Sequence, residues 1–266
     1  MEETIHTKIR ERKKIAMFPL THLYTAKQVL GYENDQTVLG ALFPDFGAFL
    51  HIGRNVCHEM GLDMYRFAAE NDPDHIDFTL GALTHGTALP GIDYYADEEY
   101  RGQRPGFCFR QGELIAEELR IACNLPSNMA VWKAHNIIEL AFDVITEKRC
   151  PGIGKTALSA MPVTPDNDCA VFLESYLNHS RRDIMTMFRE VSNHFSFDGG
   201  NIGEIADKFL ASLVRRHNIR GGSRLDLIRI IGKSVAVIEP RYDGFMAETI
   251  ALVKADLQKL TGEAHL

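Results

Sequence analysis

A histidine and two carboxylates are spaced four residues apart in the segment AVWKAHNIIELAFDVI. On a helix, His135, Glu139 and Asp143 therefore lie along one face, and the apolar residues around them indicate that the helix is largely buried. An imidazole and two carboxylates are costly to bury unless a cation neutralises them. His135 and Glu139, one turn apart, can chelate a single zinc ion. A buried histidine–carboxylate hydrogen bond without metal is the alternative that this motif leaves open.

A second candidate ligand, His85, lies in the segment LGALTHGTALPGID. The small residues of this segment allow another helix to approach the histidine closely. Asp93, the last residue of the segment, follows after a proline turn.

Three further candidates lie earlier in the chain. Asp45 follows a proline in the apolar stretch LGALFPDF, where an unpaired carboxylate is costly, although a helix cap is the alternative interpretation. His22 lies on the first amphipathic segment, and His58 lies seven residues after His51, on roughly the same helical face. A lone histidine among apolar residues is more often structural than metal-binding, so the metal hypothesis rests on the whole set.

Helices are the elements that must position these residues. Apolar residues recur at helical spacing along most of the chain, whereas sustained period-two alternation and hairpin turn signals are absent. We therefore predict an all-α fold, a multi-helix bundle with a metal site lined by several helices. The predicted helices include residues 21–30, 111–123, 128–147, 169–194, 201–217, 223–237 and 242–260.

Proline and polar residues mark the breaks between these helices. Pro44 is predicted to lie at a helix break or in a first helical turn. The polar stretch 91–107 is predicted to be a loop that covers the site or simply lies on the surface. The stretch Cys150–Cys169 contains three prolines and two glycines and is the best candidate boundary. It separates a metal-site region, residues 1–150, from a C-terminal helical region, residues 151–266, packed on the first as one compact unit.

Composition excludes several classes of protein. With 36 acidic and 29 basic residues, the formal charge is −7, which argues against broad binding to nucleic acid. No apolar run of about 18 residues occurs, so we expect no transmembrane segment. The first residues lack the apolar core of a secretory signal. Five scattered cysteines without a CxxC pair are typical of reduced thiols, which indicates a cytoplasmic protein.

In this order, the motifs resemble the zinc-dependent phospholipase C family. The resemblance runs from about residue 21 to residue 143 and is carried by five elements, of which the closing His-x-x-x-Glu motif matches best. They are His22, Pro44-Asp45, His58, the segment from Gly81 to His85, and His135 with Glu139. The resemblance implies an all-helical protein whose metal ions are held by histidines, aspartates and a glutamate from several helices. The His-Asp class of metal phosphohydrolases is less similar, because no histidine here is followed directly by aspartate.

The chain also departs from the pattern of that family. The bridging aspartate expected four residues after His85 is replaced by Leu89, and Asp93 is the residue that can substitute for it. The family's ligand histidine shortly before the closing motif has no counterpart between His85 and His135. The family's secreted members use their N-terminal residue as a ligand, whereas about 20 residues precede His22 here. The resemblance therefore implies one or two zinc ions rather than three, and another divalent transition metal is the alternative.

We predict a metal-dependent hydrolase of a small-molecule or lipid-derived phosphoester. The alternative is a non-catalytic metal-binding or scaffold protein that keeps the ligand helices. Asp45 is a candidate general base as well as a ligand. Helices beyond residue 169 are expected to supply few or no ligands, although His179 and His194 are available. The predicted metal ligands, in decreasing order of support, are His85, His135, Glu139, Asp45, His58, His22 and Asp93.

Overall fold

The computed structural model describes residues 19–162, 164–194 and 198–262. Within these ranges the chain forms 13 α-helices and no β-strand, which confirms the all-α prediction. None of the described helices combines the length and the apolar composition that crossing a bilayer requires.

The helices divide into those that precede and those that follow residue 150. The first set is α1 (Pro19–Leu30), α2 (Asp35–Phe46), α3 (Arg54–Glu59), α4 (Gly61–Asn71), α5 (Ile76–His85), α6 (Phe107–Glu113), α7 (Ala116–Cys123) and α8 (Ala130–Arg149). The second set is α9 (Ile153–Ala160), α10 (Asp168–Leu177), α11 (Arg181–His194), α12 (Ile202–His217) and α13 (Arg224–Thr261). A single π-helical turn, Tyr94–Glu98, lies between α5 and α6.

Two large apolar cores hold these helices together. One core buries residues of α1 to α5 against α9, α10 and α11. The other buries residues of α6, α7 and α8 against α12 and α13. Each core therefore combines helices from both sides of residue 150, and the proposed division of the chain at that residue stays a prediction.

Glycines bring α2 and α5 into backbone contact. A Cβ atom on Gly40 would lie 1.9 Å from the carbonyl oxygen of Phe78, and one on Gly81 would lie 2.4 Å from that of Thr37. Any larger residue at either position would force the helices apart. The close approach holds the C-terminal end of α5, where His85 lies, beside α2.

The helix predictions need three corrections. The segments 223–237 and 242–260 form one 38-residue helix, α13, with Pro240 inside it. Proline removes one backbone hydrogen bond. The helix nevertheless continues through Pro240, because Ile238, Tyr242 and Phe245 on either side are buried in the second core. The segment 111–123 is instead interrupted between α6 and α7. The segment 169–194 is likewise interrupted between α10 and α11, where Asn178 ends α10 in a left-handed conformation.

Pro44 is also placed differently from the prediction. It lies inside α2, near its C-terminal end, rather than at a break or in a first turn. Its missing N–H would have bonded to the carbonyl of Gly40 in an unbroken helix. The α-helix continues only to Phe46, and a short 3-10 turn, Gly47–Leu50, follows it.

The contact between α2 and α5 predicts a specific stability effect. Gly81→Ala should destabilise the protein by about 1–3 kcal/mol or more, because the added methyl group meets the backbone of α2. Gly232→Ala in α13 is the matched control, since its Cβ would meet no atom within 4 Å, and it should be neutral or stabilising by up to about 1 kcal/mol. Urea unfolding of both variants measures the difference, and equal stabilities would contradict the close packing.

Candidate metal centre

The structure brings all seven predicted ligands together in the buried interior. Five of them form a first ligand group: His22, Asp45, His58, His85 and Asp93. The other two join one further carboxylate in a second ligand group: Asp97, His135 and Glu139. Every member of both groups is buried.

The first ligand group draws its side chains from five separate segments. His58 Nε2 lies 3.0 Å from Asp93 Oδ2 and 3.6 Å from Asp45 Oδ1. His85 Nε2 lies 3.4 Å from Asp93 Oδ2, and His22 Nε2 lies 3.5 Å from Asp93 Oδ1. A tetrahedral zinc ion with ligand bonds of about 2.0–2.1 Å separates its donor atoms by about 3.3–3.4 Å. The observed separations are therefore close to those that a shared metal ion imposes.

Backbone carbonyls orient three of the imidazoles. The acceptors are the carbonyl oxygens of Arg54 (2.8 Å, from His58), Ala41 (2.6 Å, from His85) and Trp132 (from His135). Because a carbonyl only accepts, Nδ1 of each ring carries the proton and Nε2 faces the ligand groups. His58 Nε2 and His85 Nε2 lie only 3.3 Å apart. Two such nitrogens beside carboxylates require a cation, either a proton on one ring or a metal ion between them.

The electrostatics of the first ligand group are unbalanced toward negative charge. Burial and the charge of Arg54 act against a protonated His58, but the carboxylates of Asp45 and Asp93, 3.6 Å and 3.0 Å from its Nε2, prevail and raise its pKa to about 9. Burial and the neighbouring His85 lower the pKa of His22 to about 3. Although burial opposes ionisation of Asp93, the surrounding imidazoles hold its pKa well below the usual range. The group thus contains ionised carboxylates that attract a cation.

The second ligand group is looser and more strongly desolvated. His135 Nε2 lies 3.8 Å from Asp97 Oδ1 and 3.7 Å from Glu139 Oε1, and neither oxygen accepts a hydrogen bond from a described residue. Burial, with the charges of Asp97 and Asp93, raises the pKa of Glu139 well above its usual value. Burial and Asp93 raise the pKa of Asp97 to about 7. Burial is the main cause of both shifts, and a positive charge nearby would oppose it.

Asp97 is a site residue that the sequence analysis missed. The stretch 91–107 was expected to be a loop, but it begins with the π-helical turn, which puts Asp93 in the first ligand group and Asp97 in the second. The signal that was available is their spacing of four residues, the same as that of His135 and Glu139. The arginines of this stretch do not cover the site.

Those arginines form ion pairs at the surface instead. Arg101 pairs with Glu248 of α13, and Arg104 pairs with Glu99. Both arginine side chains are about two-thirds exposed, at 65% and 66%. The covering role considered for this stretch therefore does not apply to its two arginines.

Arg54 is the second site residue that the sequence analysis missed. Its Nη2 lies 3.2 Å from Asp93 Oδ2 and 3.0 Å from Asp97 Oδ2, so one guanidinium joins the two ligand groups. It stands one helical turn before His58 on α3. The side chain is 21% exposed, more than any ligand it touches. A positively charged residue is not a metal ligand, so a search for ligand types does not find it.

Asp143, the third member of the spaced row on α8, does not join the second ligand group. Its Oδ1 accepts hydrogen bonds from the backbone N–H and the hydroxyl of Thr21, both at 2.9 Å. Burial raises the pKa of Asp143 to about 8, although these hydrogen bonds oppose the rise. The residue therefore ties α8 to the first turn of α1.

Other residues from the sequence analysis also lie apart from the ligand groups. His51 is exposed in the turn before α3 and does not share a helical face with His58. Leu89 packs against a third apolar cluster, while Asp93 reaches the histidines. His179 is half-buried and belongs to neither group, and the side chain of His194 lies outside the described residues.

These pKa shifts predict how stability depends on pH. In protein treated with chelator, His58 contributes stability that is complete below its unfolded pKa of 6.5 and is lost as the pH rises through about 9. The raised pKa values of Asp97 and Glu139 act in the same direction, because ionisation costs the folded state more. The lowered pKa values of His22 and His135 affect stability only below pH 6.5, the unfolded pKa of histidine.

Urea unfolding at several pH values between 6.5 and 9, with chelator and with stoichiometric zinc, tests this expectation. Chelated protein should lose up to about 3 kcal/mol through His58 alone. Zinc-loaded protein should lose less, because a metal ion replaces the proton on His58. Chelated protein whose stability does not change across this range would contradict the assignment.

Comparison with known proteins finds no matching family model, no similar curated protein and no similar solved structure. The resemblance to the zinc-dependent phospholipase C family therefore stays a prediction. The evidence for a function therefore comes from the side chains of the two ligand groups.

Proposed function

We propose that this protein is a metal-dependent hydrolase of phosphoesters and that its two ligand groups hold zinc. The observation that carries the proposal is the convergence of imidazole Nε2 atoms, oriented by backbone carbonyls, on buried carboxylates. Several of these carboxylate oxygens accept no hydrogen bond from a described residue: Asp45 Oδ1 and Oδ2, Asp93 Oδ1, Asp97 Oδ1 and Glu139 Oε1. Buried oxygens of this kind are expected to have a partner, and imidazole with carboxylate is a donor set that suits zinc.

The balance of charge supports a phosphoester as substrate. The two ligand groups contain four carboxylates, and the guanidinium of Arg54 contacts two of them, Asp93 and Asp97. With the carboxylates ionised, two divalent ions would turn the net charge of this interior from negative to weakly positive. A weakly positive centre attracts an anionic substrate, and phosphoesters are anions at neutral pH.

The residues of the chain have distinct parts in the proposed reaction. A bound zinc ion would lower the pKa of a water molecule and stabilise negative charge on the phosphoryl oxygens. Asp45 is the proposed general base, because neighbouring imidazoles outweigh its burial and lower its pKa, so that it is ionised and accepts a proton. Arg54 uses one nitrogen for Asp93 and Asp97, and its other N–H groups are donors for a phosphoryl oxygen.

One observation favours a second candidate, a metal-holding protein without turnover. The most exposed ligand, Asp97, is only 8% exposed, so substrate needs a route into the site. The partly exposed side chain of Arg54 marks the place where solvent comes nearest to the ligands. Turnover by the metal-loaded protein separates the two candidates.

The remaining features of the proposal are its substrate range and compartment. We infer that the substrate is a small-molecule or lipid-derived phosphoester. All five cysteines are unpaired, four of them buried, which supports the proposed cytoplasmic location. Neither inference is needed for the metal chemistry.

Glu139→Gln tests the metal site directly. The change keeps the size of the side chain and its hydrogen bond with Asn136 but removes the charge, so zinc affinity should fall by about ten- to a hundred-fold or more. Asp143→Asn is the matched control on the same helix: it removes a carboxylate outside the ligand groups and should leave zinc affinity unchanged. Competition with a chromophoric chelator measures both affinities, and melting curves with and without zinc check folding. Equal affinities in the two variants would contradict the second ligand group.

Turnover of phosphoesters tests the catalytic proposal. Zinc-loaded protein should hydrolyse a p-nitrophenyl phosphodiester or phosphomonoester and leave the uncharged p-nitrophenyl acetate comparatively untouched. Arg54→Gln should raise KM for the phosphoester by about tenfold or more at unchanged zinc content, and Arg54→Lys should recover part of the loss. Bound zinc without turnover of any phosphoester would support the metal-holding candidate instead.

A further inference from the structure

A surface cavity of about 620 Å³ lies apart from the two ligand groups. Its walls come from the turn after the π-helical segment, from α6 and from α13. The volume is within the range of small-molecule pockets, about 300–1,000 Å³. None of the described residues that line it is an acid.

Three arginines line this cavity, and two of them have no acidic partner. Arg101 is neutralised by Glu248. Arg110 donates to the carbonyl oxygen of Tyr100 at 3.3 Å, and Arg241 donates to the side-chain oxygen of Gln111. Neither of these two forms an ion pair with a carboxylate among the described residues. The cavity is therefore positively charged, although the chain as a whole has a charge of −7.

Aromatic rings form the apolar wall of the cavity. Phe107 and Phe245 lie with their ring centroids 4.7 Å apart, and Tyr100 contacts both. Arg101 and Arg110 lie over the ring of Tyr100, with 5.2 Å and 6.0 Å between the guanidinium carbon and the ring centroid. Neighbouring Gly244 has open space where a side chain would be.

We propose that this cavity binds a small organic anion, one that carries a phosphate or carboxylate group beside a planar apolar body. Arg110 and Arg241 each retain N–H donors, and a guanidinium binds an oxyanion through two parallel hydrogen bonds. The aromatic wall contacts the apolar part of the ligand. This site needs no metal and is independent of the proposed hydrolase activity.

Calorimetric titration of the metal-free full chain with phenylphosphonate tests the proposal, because without zinc the metal centre has no ion to bind the phosphonate. The wild type should bind it saturably, and the uncharged benzyl alcohol should not bind. Arg110→Gln and Arg241→Gln should each weaken this binding by about tenfold or more. Gly244→Leu keeps the arginines but fills the cavity, and it should abolish binding without loss of stability, because leucine is favoured over glycine in a helix.

Two controls separate this site from the metal centre. Arg229 lies on the same helix but pairs with Glu118 outside the cavity. The Arg229→Gln variant should therefore bind phenylphosphonate as the wild type does. Glu139→Gln should change zinc affinity and leave the binding in the cavity intact. Absence of saturable binding by the wild type would overturn the proposal. Binding that survives in the Arg110, Arg241 and Gly244 variants would also overturn it, since the ligand would then lie elsewhere.

Discussion

Burying carboxylates and imidazoles together is the constraint on which this structure depends. Asp45, Asp93, Asp97 and Glu139 lie between helices, with no side chain more than 8% exposed. Moving one ionised carboxylate out of water costs several kcal/mol unless an opposite charge compensates it. Arg54 supplies one such charge, and the rest must come from protons or from metal ions. The pKa shifts within the set are opposite: the surrounding imidazoles lower the pKa of Asp93 despite its burial, whereas burial raises the pKa of Glu139.

The helical scaffold orients the ligand side chains through contacts with backbone carbonyls and a neighbouring ring. Backbone contact between α2 and α5 brings Ala41 within hydrogen-bonding distance of His85, so the position of one helix orients an imidazole on the other. His58 is oriented from within its own helix, by the carbonyl one turn before it. The ring of Phe109 stacks on His135 at a centroid distance of 4.0 Å. Ligands oriented in this way lose little conformational entropy when they bind a metal ion.

The π-helical turn and Arg54 divide the site into two parts. Because the turn carries Asp93 at its start and Asp97 within it, one short segment supplies a carboxylate to each ligand group. Arg54 lies against both carboxylates and keeps the two groups from merging into a single negative cluster. It is also the part of the site closest to solvent. Arg54 therefore balances part of the negative charge, separates the two ligand groups and lies where the site is closest to solvent.

The helices and most of the site could be predicted from the sequence because their signals are local. Helical periodicity depends on residues three and four apart, and so does the pairing of His135 with Glu139. Carboxylates in apolar segments are costly to bury, and this cost identified Asp45 and Glu139 as candidates. The small residues around His85 identified that histidine. Asp97 was missed because the composition of its segment is that of a loop, and composition does not report a π-helical turn.

What the sequence by itself determined was therefore the fold class and the residue types able to bind metal. Which residues meet was decided only by the tertiary structure, because their contacts join segments far apart in the chain. Asp143 shares a face of α8 with His135 and Glu139, yet it bonds to Thr21, 122 residues away. Pro240 is a local signal for a break, yet burial on both sides of it keeps α13 continuous. Local preferences are worth about 1–3 kcal/mol, and packing and charge compensation in the core outweigh them.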